Sequence, residues 1–117
     1  MDLQKMITHQ RQFAKARDWD QFHTPKNLSM ALSVETAELL EIFQWLTEEQ
    51  SAKIMEEEKQ GEAVKHELSD ILYYLVRLAD VLGVDLEAAF WEKLQLNEKK
   101  YPVEQSRGNA RKYTEFD

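Results

Sequence analysis

Two long stretches of this chain repeat apolar side chains at helical spacing, and each has a pair of acids set into the apolar stripe. From Pro25 to about Leu46, residues seven apart nearly eclipse on a helix: Leu28, Glu35 and Ile42 form one line, Ala31, Glu38 and Trp45 the next, and Leu32, Leu39 and Leu46 a third. From about Glu62 to Leu82, Val64, Ile71 and Leu78 share a line, as do Leu68, Leu75 and Leu82, whereas Glu67 falls in line with Tyr74 and Val81, and Asp70 with Ala63 and Arg77. The pattern reads E-x-x-E, 28 intervening residues, then E-x-x-D, and the i, i+3 spacing sends both acids of a pair off the same helical face. Ionised carboxylates do not sit on a core-facing stripe unless something compensates their charge. Packing the two helices antiparallel brings the pairs together around a small pocket, and a hard divalent cation is the obvious compensator.

The remaining sequence fits an all-α fold, an antiparallel bundle of about five helices. With 32% charged and 43% hydrophobic residues but only 3 Gly and 2 Pro, the chain favours helices over turn-dense β structure. Its 117 residues make one domain, 1–117, short enough that assembly as a homo-oligomer would add useful burial. Asp2 caps a first helix that ends near Arg17, and the loop from Asp18 to His23 carries two aromatics, Trp19 and Phe22. Thr24 and Pro25 start the second helix. Thr47 with Gln50 resembles a capping box for a third helix, from Glu48 to about Lys59, which Gly61 is expected to break. The fourth helix stops at Gly83, a left-handed cap, and the fifth, opened by Asp85, ends before Pro102. A polar tail runs from Val103 to Asp117.

A net charge of −7 gives no overall positive field for nucleic acid, which is not expected as a partner. With no cysteine there are no disulfides, thiolate metal sites or cysteine nucleophile. Met1 to Gln12 contains no apolar run of signal-peptide type and no segment approaches a membrane span, so the expectation is a soluble, cytoplasmic protein without a membrane partner.

Four carboxylates without histidine or cysteine suit Mg²⁺, with Mn²⁺ as a substitute, and Mg²⁺ characteristically binds substrate phosphates alongside a few carboxylates. Di-iron bundles need Glu-x-x-His pairs, and here the i+3 partners are Glu38 and Asp70. Beside a metal–phosphate site, Trp19 and Trp45 can sandwich a flat heterocyclic base, although aromatics also serve as plain core. His23 and Asn27 can hydrogen-bond a base or sugar, and Gln10 and Tyr74 stay open on spacing alone. A competing class is a non-catalytic helical oligomerisation or adaptor module, with the acids in salt bridges to Lys65, Arg77 or Lys93.

RDWDQFHTPKNLSMALSVETAELLEIFQW, residues 17–45, and HELSDILYYLVRLADVLGVDL, from His66 to Leu86, together with NEKKYP and RKYTEF in the tail, closely resemble the MazG-like all-α nucleoside triphosphate pyrophosphatases, and within them the dCTP pyrophosphatase branch. The resemblance implies a homodimer or homotetramer that cleaves a nucleoside triphosphate, dCTP or a modified dCTP foremost, to the monophosphate and pyrophosphate. It implies Glu35, Glu38, Glu67 and Asp70 as Mg²⁺ ligands, and as substrate contacts Gln10, the loop Trp19, Asp20, Gln21, Phe22 and His23, and also Trp45 and Tyr74. Relatives can carry histidine at position 10, whereas here it falls at His9. No glycine-rich phosphate loop is present, so metal must replace backbone cradling, with Glu35 or Glu38 orienting or deprotonating the attacking water. The same chemistry on dUTP or another non-canonical nucleotide is the nearest alternative.

Overall fold

The computed structural model of the chain describes residues 1–116, and among them all regular structure is helical. Local chemistry sets the helix boundaries. α1 (Leu3–Ala16) is capped by the Asp2 side chain, which accepts from the Lys5 amide. α2 (Pro25–Phe43) starts with Pro25 at its first position and the Thr24 hydroxyl accepting from the Asn27 amide. α3 (Glu48–Ala52) opens with the reciprocal Thr47–Gln50 box. After a 3₁₀ turn (Ile54–Glu56), α4 (Glu58–Leu82) ends at Gly83, whose φ of 71° places it in the left-handed region. α5 (Leu86–Lys100) is capped by Asp85, which accepts from the Ala88 amide, and a short α6 (Val103–Ser106) and a 3₁₀ turn (Tyr113–Glu115) follow.

One expected element is corrected. The third helix does not run to Lys59, and Gly61 does not break it; α3 is brief and Gly61 lies buried in the first turns of α4, its amide donating to the Glu57 carbonyl at 2.7 Å. A Cβ there would meet the Cα and carbonyl oxygen of Met55 at 3.4 Å. The glycine therefore lets the preceding 3₁₀ turn approach the α4 backbone closely, a packing role rather than a stop signal.

The chain divides into two compact units, Met1–Gly83 and Val84–Asp117. In the first, α4 is the central element, packed against α2, α1 and the 3₁₀ turn. α2 and α4 run antiparallel: His23, just before α2, bonds Arg77 late in α4, while Glu35 midway along α2 meets Glu67 earlier in α4. Ala14, Leu28, Ile54, Val64, Val76 and Ala79 form the buried core, with Leu28 and Val76 the largest wholly enclosed side chains. In the second unit, Tyr101 makes edge-on ring contacts with Tyr113 and Phe116; Asp117, the end of the expected tail, lies outside the described residues. No helix is long and apolar enough to cross a membrane among the described residues.

Candidate active site

Because α2 and α4 are antiparallel, the acids set into their stripes converge. One carboxylate oxygen from each of Glu35, Glu38 and Glu67 lies within 4.8 Å of the others. Glu35 and Glu67 are half-buried, and the Oε2 of each is shielded from solvent with no hydrogen-bond partner among the described residues. Burial first, then the carboxyls of Glu67 and Glu38 and the charge of Asp70, push the Glu35 carboxyl up to about 7. A cation taking this position has to displace the proton that Glu35 holds below that pH. Two orphaned buried oxygens in an all-carboxylate donor set are what a hard divalent ion satisfies. Asp70, one turn beyond Glu67, is exposed and lines an adjoining cavity.

That cavity, about 460 Å³, is bounded by His9, Gln10, Phe13, Trp19, Glu35, Asp70, Tyr73 and Tyr74. Its aromatic wall is continuous: Phe13 stands edge-on to Trp19 at 5.6 Å and to Tyr73 at 6.3 Å, and Tyr73 to Tyr74 at 5.1 Å. Burial, then the charges of Glu35 and Asp70, raise the Tyr74 hydroxyl above its ordinary value. Gln10 is buried, with Nε2 donating to the Tyr73 carbonyl at 3.1 Å and Oε1 unpartnered.

The loop before α2 folds on itself. Asp18 takes a left-handed φ of 56°, the Trp19 amide donates to the Ala14 carbonyl at 2.9 Å, and the Phe22 amide donates to the Trp19 carbonyl at 2.8 Å. Gln21 Nε2 donates to the Asp18 carbonyl and carboxylate, and Asn27 Nδ2 donates to the Phe22 carbonyl. Asp20 and His23 both accept from Arg77. Trp19 is the one loop residue on the cavity wall; Phe22 is exposed, and Trp45, 87% exposed, stands apart from this cavity.

His9, Phe13 and Tyr73 were not among the sequence candidates. Phe13 lies one turn from both His9 and Gln10 on α1, a signal the spacing did offer, and His9 entered the sequence reading only as the histidine one place before position 10.

An all-helical chain that gathers carboxylates from two antiparallel helices beside an aromatic cavity defines a class of helical proteins with an acidic cluster able to hold a metal ion. The chain belongs to the MazG-like family, whose model matches residues 30–116. It is 46% identical to dCTP pyrophosphatase 1 of Rattus norvegicus and 44% identical to that of Homo sapiens, each over 105 residues covering 90% of this chain and 62% of the relative. The chain thus spans under two thirds of the length of these curated relatives. A crystal structure of a pyrophosphatase from Archaeoglobus fulgidus superposes with a TM-score of 0.79 at 39% identity, covering 85% of this chain and 91% of that one.

Proposed function

We propose that this chain is a divalent-metal-dependent nucleoside triphosphate pyrophosphohydrolase, acting foremost on dCTP or a modified dCTP and working in the cytoplasm, where nucleoside triphosphates are made and used. The observation that carries this reading is the Glu35–Glu38–Glu67 cluster, with two buried oxygens lacking partners, set beside an aromatic cavity of about 460 Å³. The names of its relatives, dCTP pyrophosphatase 1, support the substrate class.

Glu35, Glu38, Glu67 and Asp70 would hold Mg²⁺, or Mn²⁺ in its place. When bound, the ion neutralises charge on the triphosphate and makes a water more acidic. The water oxygen forms a bond to the α-phosphorus, the bond from that phosphorus to the α,β-bridging oxygen breaks, and pyrophosphate leaves. One carboxylate of the α2 pair, Glu35 or Glu38, would orient the water and take its proton. Trp19 stacks the base, with Tyr74, Gln10, the rest of the loop to His23, and Asn27 around base and sugar. Trp45, exposed and apart from this cavity, would add a second stacking face only from another copy of the chain.

Exposed apolar side chains on both long helices, among them Met30, Val34 and Leu40 on α2 and Leu68, Leu75 and Val81 on α4, support self-association as a homodimer or homotetramer. The ion pairs favour an enzyme over an adaptor: Lys65 pairs with Glu62 and Arg77 with Asp20 and Asp80, and among the described residues no cation pairs with Glu35, Glu38, Glu67 or Asp70. Isothermal titration with a non-hydrolysable dCTP analogue tests the reading. Binding is expected only with Mg²⁺ present and is lost in Glu67→Gln. Equal binding without metal, or none with it, contradicts the proposal.

A further inference from the structure

We propose that Arg77 is a positioning residue that ties the Trp19-bearing loop to α4, fixing the distance between the base end and the phosphate end of the site. The inference rests on the nucleotide reading above. Arg77 is only 6% exposed. Its Nη2 donates to Asp20 Oδ1 at 2.9 Å, its Nε to His23 Nδ1 at 3.1 Å, and its Nη1 to Asp80 Oδ2 at 3.4 Å. Asp80 is braced in turn from α1 by Arg11, through Nε at 2.9 Å and Nη2 at 2.5 Å. A buried guanidinium is costly unless its fork is matched on several sides, and here two of three partners belong to one loop.

The loop's other bonds run within itself, back to the end of α1, or to Asn27 of α2. Hydrogen bonds from the loop to α4 pass through Arg77 alone among the described residues. Arg77 follows Asp70 by seven positions, so both lie on one line of α4. Asp70 faces the cavity that Trp19 also lines. Arg77 thus holds the base platform against the same rigid helix that carries the phosphate-end acids. Lysine retains the charge but offers no fork that can serve Asp20, His23 and Asp80 together.

The test uses full-length protein labelled with fluorotryptophan, the Trp19 resonance being identified by its loss in Trp19→Phe. In Arg77→Lys, and in Asp20→Asn, whose side chain is largely exposed and whose folding is not at issue, the ligand-free Trp19 resonance is expected to shift and broaden. With dCTP, KM rises by about tenfold in Arg77→Lys while kcat stays within about twofold, the signature of lost binding rather than lost chemistry. In the ligand-free spectra the double variant is expected to be no worse than Arg77→Lys alone, because both changes break one tie. An unmoved Trp19 resonance, a loss confined to kcat, or effects that multiply in the double variant would overturn the proposal. If the unaltered protein cleaves no nucleotide, the enzymatic reading fails, and the ligand-free spectra still decide whether Arg77 holds the loop.

Discussion

Asp80 shows how single residues in this fold are tuned by partners far away in sequence. Its side chain is almost enclosed, and the hydrogen bond from Arg11, outweighing burial, holds its carboxyl below the ordinary value. A carboxyl whose folded pKa lies below its unfolded one adds stability at pH above the unfolded value, and that stability is lost as pH falls through the depressed folded value. Thermal melts should therefore show a contribution from Asp80 that is complete above about pH 4 and disappears in more acid solution. Asp80→Asn should flatten that acid limb; an unchanged dependence of melting temperature on pH would contradict it. At this scale the sequence was legible where a residue broke a pattern. Glu35 and Glu38 stood out because each interrupted an apolar line, and Glu67 and Asp70 because they form a second acidic pair bordering the core. Arg77 and Asp80 did not, because their partners Asp20, His23 and Arg11 lie 54 to 69 residues away and no local spacing connects them.

Elements were legible where their ends carry capping chemistry. Asp2, Thr24, Thr47 and Asp85 each accept the backbone hydrogen bond their positions promise. Gly83 is the matching C-terminal case, and a Cβ there would meet nothing within 4 Å. The cost of Gly83→Ala is then purely conformational, about 1–2 kcal/mol for forcing an L-residue into the left-handed region. Chemical denaturation should show that loss with an unchanged slope, and no loss would mean α4 ends differently. Gly61 carries the opposite lesson. Nothing local separates a glycine that ends a helix from one that admits a neighbouring backbone, and only the approach of Met55 decides between them. The cavity was likewise half-legible: Trp19, Tyr74 and Gln10 invited suspicion, whereas Phe13 and Tyr73 join the wall only because α1 crosses α4.

For the whole molecule, the stripes that predicted packed helices also left surplus apolar surface. The buried core is short, and large apolar side chains stay exposed along α2 and α4. Such surface is the feature on which the proposed self-association rests. What unites residue, element and molecule is that two antiparallel helices bring three carboxylates within 4.8 Å of one another beside an aromatic cavity, the arrangement on which the proposed metal-dependent cleavage rests. Reaction of dCTP in water enriched in heavy oxygen, with Mg²⁺ present and products resolved by mass, tests this most directly. The account predicts dCMP carrying the heavy oxygen plus unlabelled pyrophosphate, with no turnover once the metal is chelated. Release of dCDP and inorganic phosphate, or turnover that survives chelation, would contradict it.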